Sequence, residues 1–156
     1  LAPYEPELSA KPTTMKKFVV AVTFFISILC FQQVIAQCNT DELCTTCTSK
    51  LATGYSFLKT YKISGEQDLA KVEYSYVFTK GTQYMLTLCE PTANASSIIM
   101  SVFDSKRNKV ASNKINGAIV AAIAFPCNAT GIYYIQYTFE GTTNRCGGSG
   151  LGFKRL

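Results

Sequence analysis

The chain has 156 residues, of which 47% are hydrophobic and 16% charged, with a net charge of +5 and no histidine. That is enough for one core-bearing domain and too little for two ordinary ones. Nine tyrosines and ten phenylalanines exclude a disordered tail, and the lack of histidine removes histidine-based triads, general bases and metal ligands.

Residues 1–14 precede the start-like Met15 and read as translated upstream sequence or an expression scar. Residues 15–36 have the layout of a secretory signal peptide. Lys16 and Lys17 lead an apolar run from Phe18 to Phe31, and Val34 and Ala36 supply small side chains for cleavage before Gln37. The run is short for a membrane span of ~20 residues, so the chain is expected not to be a transmembrane protein. A lipid anchor on Cys30 is disfavoured by the bulky Leu29 before it. The expected location is therefore secreted or periplasmic. The charge left after residue 36 is mild and demands no nucleic acid.

Residues 37–54 form a cysteine-rich N-terminal segment. Beyond residue 36 the cysteines are Cys38, Cys44, Cys47, Cys89, Cys127 and Cys146, an even count that predicts three disulfides in an oxidising compartment. Cys44 and Cys47 have C-x-x-C spacing, but no second close pair completes a zinc ribbon, and neither metal nor cofactor is expected. Asp41 to Ala52 is predicted to form a short helix capped by Thr40 and ended by Gly54.

Residues 55–156 read as strands. Tyr55, Phe57, Lys59, Tyr61 and Ile63 share one parity, and Val72 to Phe78 alternates cleanly. Lys80-Gly81-Thr82 turns the chain into Gln83 to Leu88. Ile98 to Phe103 is a buried run, Lys109 to Ile115 a polar strand, Ile119 to Phe125 an apolar strand stopped by Pro126, and Ile132 to Phe139 a strong strand. Gly147, Gly148, Gly150 and Gly152 loosen the tail, where Leu151 and Phe153 would close an edge strand. About eight short strands with regular turns and no intervening helices predict an all-β, antiparallel, jelly-roll-like β-sandwich. Tyr76, Phe78, Leu86, Leu88, Ile123 and Ile135 are its expected core.

Three stretches, Tyr76-Val-Phe-Thr-Lys-Gly-Thr-Gln-Tyr84, Ile99-Met-Ser-Val-Phe-Asp104 and Gly131-Ile-Tyr-Tyr-Ile135, resemble the bacterial pre-peptidase C-terminal domain family. The resemblance covers about residues 68–140. It implies a small sandwich of jelly-roll type, of the kind appended to secreted peptidases and other exported enzymes. The six cysteines and the few acidic turn residues depart from that pattern.

Chemistry is sparse. A C-x-x-C pair at a helix start could serve thiol–disulfide exchange, but that activity rides on a βαβ scaffold which this chain lacks. Asp68, Glu90 and Asp104 are the acidic residues near strand ends that a carboxylate-dependent hydrolase could pair. Lys106, Arg107 and Lys109, with Tyr133 and Tyr137, form a possible ligand surface for a surface polymer or an envelope protein, and Tyr134 and Phe139 join those tyrosines as candidates for sugar stacking. Asn94 and Asn128 open N-glycosylation sequons. The leading expectation is an exported, non-catalytic binding or structural module. Alternating strand directions place Cys89 and Cys146 at one pole and Cys127 at the other. This predicts a Cys89–Cys146 bridge, Cys127 joined to one of Cys38, Cys44 or Cys47, and the remaining two joined to each other.

Overall fold

The computed structural model describes residues 38–65, 70–91, 97–141 and 145–156. The signal segment, residues 1–14, Asp68 and the Asn94 sequon lie outside the described residues.

A helix, α1 (Thr40–Ser49), precedes ten strands: β1 (Ser56–Ser64), β2 (Lys71–Phe78), β3 (Thr82–Cys89), β4 (Ile98–Phe103), β5 (Lys109–Ser112), β6 (Lys114–Ile115), β7 (Ala118–Ile119), β8 (Ala122–Cys127), β9 (Gly131–Phe139) and β10 (Cys146–Arg155). Eight of them make two antiparallel four-stranded sheets, ordered β1-β10-β3-β8 and β2-β9-β4-β5. The expected all-β sandwich is therefore the fold. β6 and β7 form a separate hairpin turned by Asn116 and Gly117, both at positive φ (51° and 84°). Asn113 roots that hairpin. Its carboxamide oxygen accepts from the Met100 amide at 2.8 Å, and its nitrogen donates to the carbonyls of Ile98 and Val120.

The core follows strand parity. Phe78, Leu86, Leu88, Ile123 and Ile135 are buried between the sheets, with Tyr61, Ile63, Ile98, Met100, Val102 and Leu151 beside them. Tyr76 is the exception among the expected core residues, being half-buried on the edge strand β2. Phe57 departs from the parity of Tyr61 because a bulge lies between Phe57 and Lys59. The extra residue turns Phe57 outward, where it is 50% exposed. Pro126 does not stop its strand. It lies within β8, an edge strand, where a residue without an N–H costs no ladder bond.

The C-terminal strand corrects the sequence reading most. β10 is not an edge but the partner of both β1 and β3. Its glycines are what let α1 lie on the sheet. A Cβ on Gly148 would come within 2.6 Å of the Cys44 nitrogen and the Leu43 carbonyl carbon, both backbone atoms of the helix. One on Gly152 would meet the Leu51 side chain at 2.9 Å. Between helix and sheet, the buried Thr87 hydroxyl donates to the Cys47 carbonyl at 2.9 Å and accepts from the Gly150 amide at 3.2 Å. Gly148→Ala should therefore lift α1 and cost about 1–3 kcal/mol, the range for an overpacked site. Urea unfolding of the two proteins checks this, and an unchanged midpoint would mean that the helix is not seated on the strand. Asn39, not Thr40, caps α1: its side chain accepts from the Glu42 amide.

Among the described residues the disulfides are Cys38–Cys146 and Cys47–Cys89, two rather than the expected three, and Cys44 and Cys127 are buried free thiols. Cys89, Cys146 and Cys127 lie at the poles that strand reversal predicts, but the N-terminal cysteines bond at the Cys89 end and not near Cys127. Cys89 lies across from Gly148 near the start of β10, and Cys127 lies across from Thr82 at the opposite end. The expected Cys89–Cys146 bridge does not form. Cys146 is two residues away from Cys89's register partner, and such diagonal neighbours are ~7–8 Å apart, beyond the usual disulfide span. The helix covers only part of β10, with Leu43 and Cys44 over Gly148 and Cys47 over Gly150. The segment before it brings Cys38 to Cys146, the helix brings Cys47 to Cys89, and Cys127 is left without a partner cysteine.

Candidate functional site

Two concave features meet at the β4–β5 turn. The first is a cleft of about 510 Å³ at the Cys127 end of the sandwich. Asp104, Lys106 and Asn108 come from the β4–β5 turn, Val110 from β5, Phe125 and Pro126 from β8, Asn128 and Thr130 from the β8–β9 loop, and Tyr133 from β9. Both sheets thus contribute walls. Its volume falls within the range of small-ligand sites.

Asp104 organises the turn. One carboxylate oxygen accepts from the amides of Lys106 and Asn108, both at 2.8 Å, and the other accepts from the Asn108 carboxamide at 3.0 Å. These donors, the Asn108 side chain first, hold its pKa below the ordinary aspartate value. A depressed folded-state pKa contributes stability above the unfolded value and loses it as pH falls through the folded one. The gap in thermal midpoint between the wild type and Asp104→Ala should accordingly be widest above pH ~4 and shrink below it. A gap that does not vary with pH would disprove the role of the charged form.

The far wall is Tyr133. Its hydroxyl donates to the Ala129 carbonyl at 2.9 Å, and the Cys127 sulfur lies 3.7 Å from it. Burial, then the Cys127 contact, pushes its pKa up to about 12, so the phenol is neutral at physiological pH. The Thr130 hydroxyl accepts from the Lys80 amide at 2.9 Å. The Asn128 side chain is exposed at the rim.

The second feature is the outer face of the β2-β9-β4-β5 sheet, where a depression of about 420 Å³ is bounded by Lys71, Phe103, Arg107 and Gln136. The Arg107 guanidinium lies 3.5 Å from the Tyr134 ring centroid and pairs with Glu73 at 2.9 Å. The Lys109 ammonium lies 5.8 Å from the Phe103 ring centroid. Arg107 first, with Gln136 also donating, lowers the Glu73 pKa.

The five residues expected to form one ligand surface therefore divide. Lys106 and Tyr133 reach the cleft, while Arg107 and Lys109 stand on the outer face. Tyr137 is fully buried in the core and belongs to neither. Strand parity puts Tyr133 and Tyr137 inward and Tyr134 outward, so Tyr134 is the aromatic that the basic residues meet. Parity alone could have found it, had Phe103 and Tyr134 been recognised as cross-strand partners.

The other candidates do not come together. Glu90 accepts from the Ser97 amide and hydroxyl at the start of β4, while Asp104 follows the end of β4. Six residues of extended chain hold them apart, so they form no glycosidase-like pair. Cys47 is bonded to Cys89 rather than to Cys44. The Cys44 thiol is buried and donates to the Tyr61 carbonyl at 3.4 Å. Among the described residues no cluster of three acidic or cysteine side chains is placed to hold a metal ion, and no helix is long and apolar enough to cross a membrane.

No protein-family model matches the chain, and no curated protein sequence does. Solved structures do match. The chain is similar to PliG from Aeromonas hydrophila, a periplasmic inhibitor of g-type lysozyme, at 16% identity over 69% of this chain and 92% of that one, with a TM-score of 0.39. It is also similar to the glycosylation-associated protein (Gap123) complex from Streptococcus agalactiae. There the identity is 13% over 67% of this chain and 40% of that one, with a TM-score of 0.37.

Proposed function

We propose that this chain is an exported, non-catalytic binding module, that residues 15–36 are removed on export, and that its ligand site is the cleft at the Cys127 end. The cleft carries the reading through one observation: its carboxylate is already occupied. Asp104 accepts three hydrogen bonds from its own turn and is held ionised, so it shapes a wall rather than exchanging protons with a substrate. The charges of Lys106 and Asp104 offset each other. What remains to meet a ligand is the Asn108 and Asn128 amides, the Ser105 and Thr130 hydroxyls, and the apolar Val110 and Pro126. That set suits an uncharged polar group displayed by a surface polymer or an envelope protein. Two disulfides fit an oxidising compartment. The resemblance to pre-peptidase C-terminal domains, carried by β2–β3, β4 and β9, belongs to the same proposal.

The test is a titration of isotope-labelled protein with a solubilised cell-envelope fraction, followed by NMR. Shifts should centre on the side-chain amides of Asn108 and Asn128, and Asn128→Leu should weaken them. Shifts confined to α1 or the first sheet would reject the cleft. Mass spectrometry of exported protein should show Gln37 as the first residue; an intact Met15–Ala36 segment would reject the processing.

A further inference from the structure

The two sheets are finished differently. α1 lies over the outer face of β1-β10-β3, whereas among the described residues no element covers the outer face of the second sheet. Register orders that bare face into rows. Ser75, Tyr134, Phe103 and Lys109 are successive cross-strand partners. At a strand spacing of ~4.8 Å they make a row about 14 Å long. Val77 and Ile132 are partnered on one flank, 58% and 49% exposed. On the other flank Gln136 donates to Glu73 at 3.1 Å.

The charge on the face is positive and sparse. Lys71 and Arg107 share a single carboxylate, that of Glu73, at 3.8 and 2.9 Å. Lys109 has no carboxylate partner among the described residues and stands over the Phe103 ring instead. Like charge opposes stacking of a second copy on this face. Duplex DNA, with one charge per ~1.7 Å of axis, calls for far denser cations and would meet Glu73 directly. A polysaccharide bearing about one acid group per sugar matches both features. Its acid groups would meet the cations, and the C–H faces of its sugars would lie against the Phe103 ring and the exposed Val77 and Ile132.

We propose that the outer face of the β2-β9-β4-β5 sheet docks an extended anionic polysaccharide, with Lys71, Arg107 and Lys109 on its acid groups, Phe103 and the exposed Val77–Ile132 pair beneath its sugars, and Tyr134 seating the Arg107 guanidinium. This site is separate from the cleft and stands whether or not the cleft binds a ligand.

Affinity electrophoresis of the intact exported chain tests it, with polygalacturonate as the probe and dextran and duplex DNA alongside. Polygalacturonate should retard the protein, added salt should weaken the effect, and uncharged dextran should leave mobility unchanged. Lys109→Glu should weaken retardation about tenfold. Lys50→Glu, the same change in net charge placed at the end of α1, should leave it intact. Tyr134→Ala, with its folding checked by circular dichroism, should weaken binding even though the cations remain. Equal losses from both lysine variants would overturn the proposal by reducing it to net charge. So would equal retardation by dextran, tighter binding of duplex DNA, or no retardation by polygalacturonate.

Discussion

Replacing Cys38 and Cys146 together by alanine should lower stability by about 4–5 kcal/mol. The bridge closes a loop of 108 residues, and the chain-entropy cost of such a loop reaches that size. The Cys47–Cys89 bridge spans 42 residues, which gives about 4 kcal/mol on the same basis. The two bridges hold α1 over a strand whose glycines give the helix little side-chain surface to grip. Denaturant midpoints with a constant slope would report the loss as stability. A loss below about 1 kcal/mol would show that the bridge is dispensable. Peptide mapping without reductant should recover Cys38–Cys146, Cys47–Cys89 and two free thiols; a Cys89–Cys146 peptide would contradict the register.

Phe78→Ala should cost about 3–5 kcal/mol, as for other fully buried aromatic side chains. Phe78 is 0% exposed and stacks on Tyr84 with ring centroids 4.1 Å apart and on Tyr133 at 5.0 Å, with Phe125 at 5.6 Å. It therefore joins β2 and β9 of one sheet to β3 and β8 of the other. Because Tyr133 also lines the cleft, the loss should extend to ligand binding, while Phe78→Leu should keep most of both. A melt in which Phe78→Ala matches the wild type would place the inter-sheet seam elsewhere.

Side-chain alternation explains why most of this was legible in the sequence. Phe78, Leu86 and Leu88 follow a period of two, Ile123 and Ile135 sit in apolar runs, and the poles of Cys89, Cys127 and Cys146 follow from counting reversals. Both arguments fail where the signal has no side chain. Gly148, Gly150 and Gly152 carry no hydrophobic pattern, so β10 reads as a loose tail, although the close approach of α1 requires those very residues. The bulge at Leu58 leaves no mark on the alternation it breaks. The cysteine pairing failed by a register offset of two, which is invisible until strands are aligned. At the candidate sites, the basic turn and the aromatic strand are both visible in the sequence, but not which ring meets which cation. Tyr133, Tyr134 and Tyr137 differ only in parity, and only Tyr134 shares an outward row with Phe103.

The central place of β10 fixes the order in which the molecule can be made. β1 pairs with β10 from Ser56 with Phe153 to Ser64 with Cys146, and β3 pairs with β10 on its other side. Until β10 has been synthesised, β1 lacks its partner in this sheet and β3 has β8 alone beside it. Such distant pairings fold slowly, because loop-closure entropy must be met before the contacts form. In a growing chain the first sheet would thus stay open between β1 and β3 until β10 emerged, whatever the second sheet had already formed. A chain stopped before residue 146 could form the second sheet and the β3–β8 pair, but its first sheet would keep a gap between β1 and β3.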